Sequence, residues 1–278
     1  TDDALYLGEL GGGVTVFDLH GPSGPVPVSR LPLQNATDLQ VQGDLVLAGD
    51  SESDTITVYD LGDPLTPTPL ATIGVSFYRL SSWGDHVYTV WPLTVIDDGD
   101  PQDPTVVAVL PDSDQWHDIA AGDGFAVVAS ETTDSYRVID VQVPSAPFVV
   151  SQFGLGSTPT SLDVSDRLLA VGHLGGEVQL VDLSDPLHPE MLSEIQLPEN
   201  VRVVHLDDGV LTAAWSYLSD SGFDLYDVAD SSNPTQLLRV DIDFGYSPLE
   251  NHGDRVVAGG SGGGPLWVLD VGCVLSLI

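Results

Sequence analysis

Short runs in which apolar and polar residues alternate recur along the whole chain, and each run ends at an aspartate. Residues 178–182, Val-Gln-Leu-Val-Asp, are one example. Alternation with a period of two is the pattern of a β-strand. No segment shows the 3.6-residue period of a helix, and prolines interrupt the chain throughout. The pattern therefore predicts an all-β protein built from many short strands.

Each run leads into a longer phrase in which two prolines follow the aspartate at fixed places. In the fullest copy, Pro186 and Pro189 stand four and seven places after Asp182. We expect each carboxylate to accept hydrogen bonds from the following turn, and the prolines to keep the link out of the sheet. The aspartate recurs at intervals of 37 to 45 residues, at Asp18, Asp60, Asp97, Asp140, Asp182, Asp227 and Asp270.

A repeat of about 40–50 residues with several strands per unit is typical of a β-propeller. Seven phrases predict a single seven-bladed domain over residues 1–278. Each blade should hold four antiparallel strands, named A to D from the inside outwards, although the first blade starts at strand B and can lack its inner strand. Packing of blade 1 beside blade 7 is the favoured way to close the ring. The predicted blades are residues 1–33, 34–75, 76–112, 113–155, 156–197, 198–243 and 244–278.

Blade 2 gives the clearest strand bounds, which are 38–42, 45–49, 56–61 and 69–75. Strand B tends to end in small residues, but blade 3 departs from this with Val90 and Trp91. A glycine–aspartate or similar pair between strands A and B is a hairpin signal. The predicted turns are Gly43-Asp44, Gly84-Asp85, Gly122-Asp123, Ser165-Asp166, Asp208-Gly209 and Gly253-Asp254.

The phrase apolar-x-Val-x-Asp-x-x-Asp-Pro-x-x-Pro resembles that of the LVIVD-repeat β-propellers of bacteria and archaea. The resemblance covers the chain from Asp18 to Asp270. It implies a secreted or cell-surface propeller without an assigned reaction, and it supplies no catalytic residues. Our first hypothesis is therefore a non-enzymatic module that binds a protein or glycan. A structural subunit of a larger extracellular assembly is an alternative.

The charge of the chain narrows the choice of partner. Forty-two acidic residues face seven basic ones, all of them arginine, and the formal net charge is −35. Such a field disfavours nucleic acid and anionic membranes as partners. A self-repelling soluble surface, a saline setting and a calcium-loaded surface all remain open. No apolar run approaches the roughly 20 residues of a membrane span. The chain starts at Thr1 without a methionine, and we expect a secreted protein whose leader was removed.

The candidate ligand site lies where strand A begins, because this column changes most from one repeat to the next while core positions should agree. If the propeller is right, these residues line the mouth of its central channel. Two interpretations of the arginines remain open: they clamp an anionic ligand, or they pair with the two aspartates of the column. With the adjoining aromatic residues, the predicted site comprises Asp38, Tyr78, Arg79, Trp116, His117, Asp118, Arg202 and Tyr246.

Catalysis and metal binding have weaker signals. His117 next to Asp118 is a candidate general base, which makes a hydrolase or lyase acting in the channel the alternative to a binding module. The remaining histidines are scattered and do not predict a zinc site. Asp50, Glu52 and Asp54 have the first three spacings of a calcium loop but lack its glycine and closing glutamate. We therefore expect no cofactor, with calcium as the one candidate and a solvated loop as the other interpretation of these residues.

Overall fold

The fold is known from a computed structural model, which describes residues 3–9, 11–21, 24–110, 116–130, 133–217, 220–242, 249–252, 255–259 and 266–271. Every regular element in these ranges is a β-strand, as the alternating pattern predicts. The ranges contain no helix of the length and apolarity needed to cross a lipid bilayer.

The strands are short and follow one another along the chain with tight connections. In chain order they are β1 (Ala4–Gly8), β2 (Val14–Asp18), β3 (Val26–Leu31), β4 (Ala36–Gln42), β5 (Leu45–Asp50), β6 (Thr55–Asp60), β7 (Thr68–Gly74), β8 (Leu80–Trp83), β9 (His86–Thr89), β10 (Leu93–Asp97), β11 (Thr105–Leu110), β12 (Asp118–Gly122), β13 (Phe125–Ser130), β14 (Ser135–Asp140), β15 (Phe148–Gly154), β16 (Pro159–Ser165), β17 (Leu168–His173), β18 (Glu177–Asp182), β19 (Glu190–Gln196), β20 (Val201–Asp207), β21 (Val210–Tyr217), β22 (Asp220–Asp227), β23 (Thr235–Asp241), β24 (Leu249–His252), β25 (Arg255–Gly259) and β26 (Leu266–Asp270).

Each sheet is made of strands that are consecutive in the chain. Among the described residues, the four-stranded sheets are β4–β7, β8–β11, β12–β15, β16–β19 and β20–β23, and the three-stranded sheets are β1–β3 and β24–β26. All the strand pairs with a described register are antiparallel. The first sheet begins where strand B was predicted. The last predicted strand, Val274–Ile278, and with it the closure of blade 7 on blade 1, lie outside the described residues.

The prediction of seven four-stranded blades is wrong. The chain divides into two compact units, Thr1–Ala126 with Asp140–Phe148, and Val127–Ile139 with Val149–Ile278. Three sheets lie wholly within each unit, six in all, whereas the four-stranded β12–β15 sheet has residues in both units. The aspartate phrase marks the end of one strand per repeat, so a count of phrases does not show how sheets are grouped or completed. The single-domain organisation stays a prediction.

The predicted role of the aspartate phrase is confirmed wherever its side chain is described. In each of the six copies from Asp18 to Asp227, a carboxylate oxygen accepts a hydrogen bond from the backbone N–H two residues later, as in Asp182 with Ser184 at 2.7 Å. The other donors are the N–H groups of His20, Gly62, Gly99, Gln142 and Ala229, at 2.8–3.1 Å. The phrase therefore ends the strand and starts the turn through a contact that is local in sequence.

The predicted hairpin turns between strands A and B are also present among the described residues, two of them one residue later than predicted, while Gly253-Asp254 lies outside the described residues. Gln42 pairs with Leu45, which leaves Gly43-Asp44 as the predicted two-residue turn. Ser165 pairs with Leu168, so that turn is Asp166-Arg167, with φ angles of 49° and 61°. The turn predicted at Gly122-Asp123 is likewise shifted, because β12 includes Gly122 and β13 begins at Phe125. Both shifted turns place an aspartate in the left-handed region, which its short polar side chain tolerates.

Apolar side chains of neighbouring sheets form the core within each unit. In the first unit, Leu47 and Ile56 of the β4–β7 sheet pack with Val87 and Ile96 of the β8–β11 sheet. Strand B is almost wholly buried, whereas the fourth strand of each sheet is largely exposed. Serine hydroxyls on the outer strands add polar links to the next sheet. Each donates to a backbone carbonyl at 2.6 Å: Ser29 to Leu65, Ser151 to Pro186, and Ser193 to Ser231.

Candidate functional site

Five of the residues that carry polar or aromatic chemistry come together in the first compact unit, and we call them the Tyr78 cluster: Tyr78, Arg79, Trp91, His117 and Asp118. The backbone places the first three. The Tyr78 N–H donates to the Val90 carbonyl at 3.1 Å, and the Val90 N–H donates to the Arg79 carbonyl at 3.3 Å. These bonds extend the β8–β9 ladder beyond its last regular pair, so Trp91 emerges next to Tyr78.

Aromatic contacts hold the cluster together around the Tyr78 ring. The ring centroid of Tyr78 lies 5.7 Å from that of Trp91 and 5.3 Å from that of His117, with interplanar angles of 60° and 51°. The Tyr78 hydroxyl is 3.4 Å from His117 Nε2, at the long end of the hydrogen-bonding range. Tilted rings at these separations attract through their quadrupoles. Tyr78 therefore joins the end of the β8–β9 hairpin to the start of β12.

Arg79 adds a positive charge that its neighbours partly compensate. Its guanidinium carbon lies 5.1 Å from the centre of the Tyr78 ring, within the range of a cation–π contact. Its Nε is 4.0 Å from Asp118 Oδ1, and the side chain keeps 36% of its surface exposed. Of the two interpretations drawn from the sequence, pairing with an aspartate is present for Arg79.

Asp38, another predicted site residue, links β4 to β8 through its carboxylate. Its Oδ1 accepts the Leu39 N–H at 2.9 Å, and its Oδ2 accepts the Leu80 N–H of the next sheet at 2.8 Å. Burial raises the pKa of this carboxyl, while Arg79 and the two N–H donors act in the opposite direction. The carboxylate thus connects β4 to β8 at the base of the cluster.

The same kind of connection between inner strands recurs, and sequence reasoning missed it. Ser81 Oγ accepts the Ala121 N–H at 2.9 Å, and Asp163 Oδ2 accepts the Leu206 N–H at 2.7 Å. Ser161 Oγ, at the position equivalent to Asp38, accepts the Val204 N–H at 3.2 Å. A small polar side chain on strand A is the only signal of these connections in the sequence. Such residues are common in strands for other reasons.

The structure describes two of the three remaining predicted site residues. Arg202 belongs to the second compact unit, where its Nε and Nη2 donate to the hydroxyl and carbonyl of Ser216 at 2.9 and 3.1 Å. Trp116 is buried beside His117 in the chain. Tyr246 lies outside the described residues. The alignment of repeats placed these residues in one column, but equivalent positions in different sheets need not share neighbours.

Trp91 was not predicted as a site residue, although its departure from the repeat was visible. The residues at its place in other sheets, opposite the start of strand A, are Asp50, Ser130, His173 and Trp215, and all four are buried. Trp91 is 47% exposed and has a φ of 78°, which is uncommon for a residue with a large side chain. The signal in the sequence was the bulky pair Val90 and Trp91 at the end of strand B, where other repeats have small residues.

In the candidate calcium loop, both carboxylate oxygens of Asp50 already accept hydrogen bonds from backbone N–H groups. One oxygen of Asp50 accepts the Gln34 N–H at 2.7 Å, and the other accepts the N–H groups of Glu52 and Ser53 at 3.0 and 3.3 Å. Burial alone would raise the pKa of Asp50, but these donors together hold it below its usual value. In the part of the chain that the structure describes, no three acidic, histidine or cysteine side chains are arranged to hold a metal ion. Calcium binding by Asp50, Glu52 and Asp54 stays a prediction.

Comparison with known proteins gives the fold but no family. No family model matches the sequence. No curated protein matches it either. Among solved structures, the β-propeller domain of Cps50 (Swd1) from Myceliophteria thermophila superposes with a TM-score of 0.71 at 14% identity, covering 97% of this chain and 94% of that one. The fold is a β-propeller.

Two other propeller-like neighbours carry enzyme names. One is the periplasmic gluconolactonase PpgL of Pseudomonas aeruginosa, with a TM-score of 0.76 at 15% identity over 96% of this chain and 91% of that one. The other is a Bacteroides uniformis protein named provisionally as a 6-phosphogluconolactonase, with a TM-score of 0.79 at 15% identity over 96% and 92%. Identities this low show a shared fold and do not transfer an activity.

Proposed function

We propose that this propeller is an extracellular, non-enzymatic module that binds a glycan through the Tyr78 cluster. The observation that carries the proposal is the exposed indole of Trp91 beside Tyr78 and the Arg79–Asp118 pair. Binding sites for small ligands typically combine aromatic surface with a few convergent polar groups that fix orientation. A sugar presents both an apolar C–H face and a ring of hydroxyls, so it matches both parts.

Charge supports an uncharged ligand at this place. The net charge of −35 repels anions at long range, while Arg79 and Asp118 compensate each other locally. A guanidinium and a carboxylate about 4 Å apart can donate to and accept from neighbouring hydroxyls of one sugar. The LVIVD resemblance, with the secreted or cell-surface location that it implies, is part of the same proposal.

The test is a binding measurement with a panel of soluble neutral oligosaccharides by isothermal titration calorimetry. Arg79→Gln should weaken binding by about 1.5–3 kcal/mol, the worth of a hydrogen bond to a charged group. Arg30→Gln is the matched control, because it removes the same charge from an exposed arginine paired with Glu9 at 2.9 Å. Binding to none of the panel, or equal affinities of Arg79→Gln and the wild type, would contradict the proposal.

A second candidate, hydrolysis of a sugar lactone, is favoured by the position of His117 and by the names of two structural neighbours. His117 would take a proton from a water whose oxygen attacks the lactone carbonyl. The ring C–O bond then breaks and the departing oxygen takes up the proton. An assay of δ-gluconolactone opening on the same samples decides between the two. A rate above the spontaneous one that His117→Gln removes would favour the hydrolase.

A further inference from the structure

Trp91 is exposed, whereas the residues at its place in four other sheets, Asp50, Ser130, His173 and Trp215, are buried. The buried residues at that place, such as Asp50 and His173, connect their strand to the segment preceding strand A of the same sheet. Trp91 makes no such buried connection among the described contacts and exposes 47% of its surface. Exposure of an indole costs hydrophobic stabilisation that burial would provide. A tryptophan that stays exposed at one place in a repeat points to a ligand.

The backbone around Trp91 is held on both sides. Val90 is hydrogen-bonded to Tyr78 and Arg79, and the Pro92 carbonyl accepts the hydroxyls of Thr89 and Thr94 at 3.4 and 3.2 Å. Trp91 itself lies in the left-handed region, at a φ of 78°. The indole therefore projects from an ordered segment, and a ligand that stacks on it does not have to order the loop first.

The surroundings of the indole select among ligand charges. The Tyr78 ring already carries the Arg79 guanidinium 5.1 Å from its centre, so a cationic ligand would meet a like charge. An anionic ligand would meet the field of a chain with a net charge of −35. The ligand that best fits the Trp91 indole is therefore an uncharged ring with an apolar face.

From these observations we infer that Trp91 is the specificity-determining residue of the site, and that it selects a neutral pyranose by stacking on its C–H face. This inference rests on the proposed function and names its ligand class. Tyr78 supports the indole from the side, and Arg79 with Asp118 contacts the hydroxyls at the ring edge. Uronic acids and sugars with an axial hydroxyl on the stacked face should bind less well.

The experiment compares Trp91→Leu and Trp91→Phe with Trp83→Leu, using a β-linked gluco-oligosaccharide and a uronic acid oligosaccharide of the same length. Trp83 is the matched control, because it is also an exposed tryptophan but stands at the opposite end of the β8–β9 hairpin. We expect Trp91→Leu to weaken binding of the neutral sugar about tenfold or more, Trp91→Phe to retain most of the affinity, and Trp83→Leu to change nothing. Circular dichroism melting checks that each variant is folded.

The outcomes separate this inference from the proposed function. If Arg79→Gln abolishes binding but Trp91→Leu binds like the wild type, the site is right and the role of Trp91 is wrong. If the wild type prefers the uronic acid, or if tetramethylammonium competes with the neutral sugar, the ligand class is wrong. If Trp91→Leu is unfolded, Trp91→Gln takes its place, since it also removes the aromatic ring. It should bind the neutral sugar about tenfold less tightly than Trp83→Leu does, and equal affinities of these two variants overturn the inference.

Discussion

The β8–β11 and β16–β19 sheets carry the same aspartate–proline phrase but differ at the positions that the repeat otherwise keeps alike. In the β16–β19 sheet, strand B ends in Gly172 and His173, and Leu183 follows the phrase aspartate. In the β8–β11 sheet the same places hold Val90, Trp91 and Asp98. The inner strands of the β16–β19 sheet have seven and six residues, whereas both inner strands of the β8–β11 sheet have four. Departures from the repeat are concentrated in the sheet that bears the candidate site.

The buried carboxyl of Asp98 shows what such a departure costs. Asp98 is 3% exposed, and among the described residues neither of its oxygens has a hydrogen-bond partner. Burial raises its pKa, the backbone N–H of Asp98 itself and the nearby His86 act in the opposite direction, and Asp85 and Asp97 raise it further. The buried Tyr88 is nearby, and burial together with Asp98 raises the pKa of its hydroxyl to about 12. We therefore expect Asp98 to stabilise the folded protein less than the leucine that stands at the same place in the β16–β19 sheet.

The largest effect is expected from exchanging the residue after the phrase aspartate. Leu183→Asp should destabilise the protein by about 3–5 kcal/mol, because it buries a carboxyl in an apolar place. Asp98→Leu should stabilise it by about 1–3 kcal/mol at neutral pH. Urea denaturation measures both. Equal and small changes in the two variants would show that the two places do not differ in environment.

The pH dependence of Asp98→Leu sharpens this comparison. The folded state holds the Asp98 proton more tightly than the unfolded chain, whose value is 3.8. The contribution of protonated Asp98 to the free energy of unfolding is thus fully present below pH 3.8 and is lost as the pH rises through the pKa of the folded state. Asp98→Leu should lack that decline, and its advantage over the wild type should grow with pH. An advantage that is constant between pH 4 and 8 would contradict this account.

An intermediate effect is expected where strand B approaches the next sheet. A Cβ on Gly172 would overlap Val201 Cγ1 and lie 3.2 Å from Val204 Cγ1, so Gly172→Ala should cost about 1–3 kcal/mol through overpacking. Val90 fills the equivalent place and is fully buried, so Val90→Ala should cost about 2 kcal/mol by leaving a cavity. The same alanine is too large in one sheet and too small in the other. Thermal unfolding of both variants tests the comparison, which fails if either is neutral.

The smallest effect is expected from the histidine at the place of Trp91. His173 is fully buried, with Nδ1 3.2 Å from the Ser157 carbonyl, and burial lowers its pKa despite nearby hydrogen bonds that favour the charged form. The unfolded chain therefore binds a proton first as the pH falls below 6.5, and stability declines there by at most about 1.4 kcal/mol per pH unit. His173→Gln should lose this part of the decline. His173→Asn should flatten the profile in the same way, and a wild-type slope in both variants would contradict this account.

The sequence predicted the features that depend on neighbours along the chain. The turn at Asp182 follows from a carboxylate two residues before its donor, and the strands of the β4–β7 sheet follow from alternation. The turn at Asp166-Arg167 was placed one residue early, because an arginine in the left-handed region leaves no mark in composition. The predicted number of seven blades was wrong. A count of aspartate phrases does not show how the sheets pack into compact units.

The candidate site was predicted in part, for a related reason. Tyr78, Arg79, His117 and Asp118 were grouped because one column varied between repeats, and the structure brings these four together. Arg202 shared the column, but its contacts with Ser216 depend on a neighbouring strand that no column reveals. The exposure of Trp91 and its positive φ were not visible in the sequence. Sequence variation shows where a repeat departs from itself, and only coordinates show which way the side chain turns.

The three serine links on the outer strands all run in the same direction along the chain. Each hydroxyl belongs to the earlier sheet and each acceptor carbonyl to the later one. Such a head-to-tail polarity has a consequence for how proteins of this kind change in evolution. When a whole repeat unit is gained or lost, the serine hydroxyl of one sheet again faces a backbone carbonyl of the next sheet, so neither group loses its hydrogen bond. Duplication and deletion of entire units are therefore tolerated more readily than insertions that split one.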